Sequence, residues 1–116
     1  MPPGVLDQAA LDSLLATTDR EFVGELIDAY LEDSPGLIAA MLGALAEANA
    51  TEFTRAAHSL KSSSASLGAV SLSSLAKDLE LMGKETKLSG AASKLEQLAG
   101  LFEQVQTALE EFKRAP

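Results

Sequence analysis

The sequence predicts an all-α protein, an antiparallel four-helix bundle with an additional short N-terminal helix or helices. Three observations carry this prediction. The chain has 116 residues, 47% of them hydrophobic, yet it holds only four Phe, one Tyr and no Trp, so its core must be built from Leu and Ala. Those residues favour helix, whereas the β-branched and aromatic residues that favour strands are scarce. Apolar residues recur at three- and four-residue intervals in successive segments and do not alternate in twos. Capping and breaking residues separate the segments by short connections, which makes neighbouring helices antiparallel. The length fits a single domain at 7–116, preceded by a flexible leader at 1–6.

Met1-Pro2-Pro3-Gly4 is kept out of regular structure by its prolines and glycine. Asp7 then caps a short helix with Leu11, Leu14 and Leu15 on one face, closing near Thr17-Thr18. Asp19 caps the next, in which Phe22, Val23, Leu26, Ile27, Tyr30 and Leu31 oppose Glu21, Glu25, Asp28 and Glu32. Ser34-Pro35 predicts a sharp bend or a new helix, because proline is disfavoured inside a helix. Ile38, Met41, Leu42 and Leu45 continue the apolar stripe to Ala48-Asn49, where the Asn is expected to end the helix in the left-handed conformation. Thr51 is expected to open the next helix, which runs toward Gly68, and Ser71 to cap the one after it, on Leu72, Leu75, Leu79 and Met82, with Gly83 near its end. Beyond Lys87-Leu88-Ser89-Gly90 a last long helix reaches about Lys113 on Leu95, Leu98, Leu101, Phe102, Val105, Leu109 and Phe112.

Composition excludes several classes of function. Cysteine is absent, so there is neither a disulfide framework nor thiolate chemistry. One His, no Cys and no paired-ligand motif do not make a transition-metal site. No signal-like leader and no apolar run of about 18 residues occurs, and the expectation is a cytoplasmic chain with no membrane association. A net charge of −8 argues against nucleic acid. The charge is also uneven: residues 1–50 carry nine acids against Arg20 alone, whereas residues 51–116 carry eight acids and eight bases. The second half can therefore receive an anionic group more easily than the first.

That second half contains the only histidine, His58, in a run of small polar residues. At about 100° per residue, Phe53, Ala56, Ala57, Leu60, Ser64 and Leu67 share one face, which must be the buried one. His58 projects away from it, with Arg55 and Lys61 at three-residue spacing and Thr54 and Ser62 one turn away. Ser59, Ser62, Ser63, Ser64 and Ser66 each lower helix propensity by about a few tenths of a kcal/mol relative to Ala. Small residues around an exposed imidazole let another surface approach closely, and Ser64 on the inner face lets a neighbouring helix do the same. A neutral imidazole is a competent nucleophile, and Lys61 can balance a phosphoryl group placed on it. On the residues alone, a chemically idle surface histidine is an equally good reading.

The run Ala57-His58-Ser59-Leu60-Lys61-Ser62-Ser63-Ser64-Ala65-Ser66-Leu67-Gly68-Ala69 closely resembles the signature of histidine-containing phosphotransfer (HPt) domains, A-H-x-L-K-G-S-S-x-x-L-G-A. The resemblance continues through Leu72-Ser73-Ser74-Leu75-Ala76-Lys77-Asp78-Leu79-Glu80 and Gly83-Lys84, and it includes Val5-Leu6-Asp7 and Tyr30-Leu31-Glu32-Asp33-Ser34-Pro35. It implies a bundle in which His58 accepts a phosphoryl group from a receiver-domain aspartyl phosphate and passes it to another receiver aspartate. It also implies that Lys61 steadies the phosphoryl group, that Glu80 orients the imidazole by accepting its Nδ1 proton, and that Lys84 adds positive charge. Ser62 replaces the usual glycine where a partner must come close, and Ala76 replaces a frequent cysteine.

The implied protein is a phosphorelay carrier rather than a complete enzyme, acting as a monomer, without a cofactor of its own. Its partners would be response-regulator receiver domains and a hybrid sensor kinase, with Mg²⁺ on the receiver. Two alternatives are a domain phosphorylated directly by an ATP-dependent kinase domain and a helical interaction module without phosphotransfer. The His-Glu-Leu-Arg-Thr-Pro run of kinase dimerisation domains is absent.

Overall fold

The computed structural model describes residues 5–115, which form α1 (Gln8–Thr17), α2 (Arg20–Ala46), α3 (Ala50–Ser66), α4 (Val70–Lys84) and α5 (Ala91–Arg114), with no strand among the described residues. Side-chain caps start the first three. The Asp7 carboxylate accepts from the Ala9 N–H at 3.0 Å, Asp19 from Phe22 at 2.7 Å and the Asn49 side chain from Glu52 at 3.1 Å. Each satisfies an N–H that has no partner within its own helix.

Three local expectations are corrected. No new helix begins at Ser34-Pro35, because α2 runs through the proline. Proline costs a helix interior about 3 kcal/mol, but Val23, Ile27 and Tyr30 before it and Met41 and Ala44 after it are all buried in one stripe. Packing on both sides outweighs the local penalty, and Pro35 itself faces solvent. At the end of α2 the left-handed residue is Ala48, at φ 53°, not Asn49. Asn49 serves as the cap of α3 instead, so that helix opens before Thr51. Finally, α4 starts at Val70 after Ala69, with no side-chain cap, and Ser71 lies inside its first turn. The connection is closed from the other side, where Gly68 at φ 79° turns the chain and the Ala69 N–H donates to the Ser64 carbonyl at 2.9 Å.

Helices α2 to α5 pack in cyclic order, α2 on α3, α3 on α4, α4 on α5 and α5 back on α2. Phe53, Leu60, Leu72, Leu79, Leu98 and Leu109 at its centre are all fully buried. Because α2 and α5 have 27 and 24 residues against 17 and 15 for α3 and α4, the long pair overshoots the α3–α4 turn. There the Arg20 guanidinium lies 5.3 Å from the Phe112 ring centre and donates to the Phe112 carbonyl at 2.8 Å, while Lys113 pairs with Asp28.

The N-terminal segment occupies the step this overshoot creates. Leu11 is fully buried, and the Asp7 N–H donates to the Gly68 carbonyl at 2.7 Å. A Cβ on Gly68 would come within 2.8 Å of the Asp7 carbonyl oxygen, so glycine is needed for both the turn and the close approach. Of the leader expected at 1–6, residues 1–4 lie outside the described residues, and Val5 is buried in the core.

Candidate functional site

The site is built by α3 and α4 where they cross most closely. Phe53, Ala56, Ala57, Leu60 and Ser64 turn inward as their spacing requires, leaving the His58 side chain 59% exposed on the other flank. Gly83 sets the separation: a Cβ there would fall 2.2 Å from the Thr54 hydroxyl oxygen and 3.2 Å from the Phe53 ring. One turn before Gly83, the same close crossing carries Glu80 beneath the imidazole. From the start of α4, the Ser73 hydroxyl donates to the Lys61 carbonyl at 2.9 Å, tying the next turn of α3 in place.

Glu80 is the hub, and at 4% exposure it is buried. Its Oε2 lies 3.0 Å from His58 Nδ1 and 3.2 Å from Lys84 Nζ, and its Oε1 lies 2.7 Å from Lys61 Nζ. These partners hold its carboxyl down to about 2: the bond from Lys61 leads, burial opposes it, and Lys84, His58 and the charge of Lys61 add to the lowering. Glu80 is therefore an anion across the physiological range and can only accept hydrogen bonds. Nδ1 must be the donor of the imidazole pair, which leaves the lone pair of a neutral ring on the outward Nε2. With two lysines against one carboxylate, the surroundings of Nε2 favour an anion.

Of the residues expected at the site, His58, Lys61, Glu80 and Lys84 are brought into one connected cluster. Ser62 is exposed one turn beyond His58 and makes no side-chain bond within this cluster. Ser64 does more than admit a neighbouring helix. It is fully buried, and its hydroxyl lies 2.8 Å from the Tyr30 hydroxyl of α2, fixing the rotation of α3 against α2. Burial raises the Tyr30 phenol above its usual value against the lowering influence of Ser64 and Ser34. Ser73, Thr54 and Tyr30 were not legible as supports of the site, because each acts across a helix pair. Small residues at Gly83 and Ser64 were the available signal that helices come close there.

On the flank of α3 that faces α2 lies an open groove of about 660 Å³, with Leu26, Ala29 and Leu37 on one wall and Ser59, next in the chain to His58, and Ser63 on the other. The groove is therefore partly apolar and bordered by small hydroxyls. Among the described residues, no helix is long and apolar enough to cross a membrane.

Comparison with known families matches residues 25–112 to the Hpt domain. Among solved structures the chain is similar to histidine-containing phosphotransfer protein B (HptB) of Pseudomonas aeruginosa PAO1, with a TM-score of 0.91, 27% identity and 97% of both chains covered. No curated protein matches it. The family match takes in α3, α4 and most of α2 and α5 but not α1, and the structural match extends over 97% of the chain. The chain belongs to the Hpt domain family, the histidine phosphotransfer carriers of phosphorelays.

Proposed function

We propose that His58 is the residue that carries the phosphoryl group, taking it from the receiver-domain aspartyl phosphate of a hybrid sensor kinase and delivering it to the aspartate of a response regulator. The observation that supports this best is the Glu80 Oε2 to His58 Nδ1 contact at 3.0 Å on a histidine whose side chain is 59% exposed. It presents Nε2 outward with its lone pair free.

In the forward step the Nε2 lone pair forms a bond to phosphorus as the bond from phosphorus to the donor aspartate oxygen breaks. The aspartate leaves as a carboxylate, and the Nδ1 proton stays on the ring. The positive charge left on the phosphorylated ring lies beside Glu80. In the second step an acceptor carboxylate oxygen attacks phosphorus, the N–P bond breaks, and the ring departs as neutral imidazole because Nδ1 has kept its proton. Phosphoryl transfer depends on in-line positioning and on a metal that neutralises charge on the transferring oxygens. Among the described residues the carboxylate of this cluster, Glu80, is already paired with two lysines and the histidine, and on this reading the Mg²⁺ and the reacting aspartate are the receiver's. On this reading the chain is a carrier rather than a complete enzyme, and it works as a monomer.

The small residues flanking His58 and the groove between α2 and α3 make room for the receiver. Incubation with a phosphorylated cognate receiver should transfer label to the wild-type chain and none to His58→Gln. Equal labelling of both would overturn the assignment.

A further inference from the structure

Lys61 and Lys84 both bind Glu80, but their departure from it would have different consequences. Lys61 Nζ forms an ion pair at 2.7 Å with Oε1, a carboxylate oxygen closed off from solvent that accepts no hydrogen bond of good geometry. Were Lys61 to leave, Oε1 would remain buried and charged with nothing in its place, which is the costly way to break a buried pair. Lys84 Nζ is 3.2 Å from Oε2, the oxygen that also accepts from His58 Nδ1 at 3.0 Å. Were Lys84 to leave, Oε2 would keep the imidazole.

Exposure follows the same division. The Lys84 side chain is 59% exposed against 28% for Lys61, and it belongs to the last turn of α4. Its carboxylate partner is one helical turn back on the same helix, so this pair ties no second helix to α4. Lys61 instead reaches across from α3 to α4, and its own carbonyl is held by Ser73 at 2.9 Å. A phosphoryl group on Nε2 offers an exposed cation three strong acceptor oxygens and more negative charge than a carboxylate.

Resting on the phosphohistidine reading above, we infer that the two lysines divide the work: Lys61 stays on Glu80 as its fixed counter-ion, and Lys84 leaves Oε2 to hold the phosphoryl group once His58 is phosphorylated. Lys61 is then a positioning residue that keeps Glu80 ionised and Nδ1 protonated, and Lys84 is the direct phosphoryl contact. This differs from the role that the sequence resemblance implies for Lys61.

Phosphoramidate, a small donor, loads histidine without a docked partner, and the decay of the phospho-form can be followed by phosphorus NMR. Lys84→Met should lose its phosphoryl group about fivefold faster than wild type, the rate change expected for loss of one charge-assisted hydrogen bond at a half-exposed site. Its unphosphorylated form should melt closer to wild type than Lys61→Met does, and Lys84→Arg should restore the lifetime. Lys61→Met should melt at a lower temperature but decay within about twofold of wild type.

A Lys84→Met lifetime equal to wild type, or a Lys61→Met lifetime at least as short as that of Lys84→Met, would overturn the division while leaving the His58 assignment standing. Should Lys61→Met fail to fold, the wild-type lysine side-chain signals decide: phosphorylation should shift Lys84 far more than Lys61, and the reverse refutes the inference. Failure of wild-type His58 to take any label would remove both readings together.

Discussion

Replacing Glu80 by Gln keeps the shape of the hub and removes its charge. The wild-type carboxyl is held at about 2, against about 4.3 for an ordinary glutamate, and its side chain is only 5% exposed. A depressed carboxylate stabilises the fold above its unfolded value, and that contribution is lost as pH falls through the folded one. The stabilisation is about 2–3 kcal/mol when complete, present above about pH 5 and gone only below about pH 2. For a chain of this size each kcal/mol is worth about 4 °C in melting temperature. Glu80→Gln should therefore melt about 8–12 °C below wild type at pH 7, with the gap reduced to about half by pH 3. Calorimetric scans of both proteins across pH 3–7 test this directly, since every other acid titrates in both. A gap that stays constant over that range would show that Glu80 acts through its shape alone, and would refute the ionic account of the hub.

Gly83→Ala should destabilise the bundle by about 1–3 kcal/mol through overpacking, with partial recovery in Gly83→Ala/Thr54→Ala, because the Thr54 hydroxyl is the first atom the new methyl meets at 2.2 Å. Denaturant midpoints measure both. Tyr30 is the only tyrosine, so an ultraviolet titration reads it alone, and its ionisation should appear above the ordinary phenol range because burial is the dominant influence on it. Tyr30→Phe should cost about 1–2 kcal/mol in urea unfolding, because it strands the buried Ser64 hydroxyl.

Legibility of the fold depended on the distance over which each feature is decided. Asp7 and Asp19 cap their own helices through side chains reaching two or three residues ahead, so local sequence suffices for them. The exposed direction of His58 follows from its angle relative to Phe53, Ala57 and Leu60, again within one helix. Pro35 shows the opposite case: its local penalty predicts a break, but burial of Ile27 and Met41 on either side keeps α2 continuous. Asn49 was read as an end because left-handed Asn is common there, whereas its side chain bonds forward to Glu52 and leaves the left-handed turn to Ala48. At the site, the resemblance placed Glu80 and Lys84 near the histidine. The pairing of Lys61 with Oε1 was not legible, because it depends on how closely α3 approaches α4, and that is set by Gly83 against Thr54.

A chain with net charge −8 is a poor anion receptor as a whole, so the carrier site has to work by local charge. Screening at physiological salt limits exposed charges to about 8 Å, and a single carboxylate gathers Lys61 at 2.7 Å, Lys84 at 3.2 Å and His58 Nδ1 at 3.0 Å. The carboxylate is what makes that arrangement possible. Without Glu80 the two ammonium groups would repel each other and draw apart, and Nδ1 would have no fixed acceptor to keep its proton. One buried anion thus gathers the cations and fixes the imidazole contact, so that on the phosphohistidine reading proposed above both the local positive charge and the free Nε2 lone pair of His58 depend on Glu80.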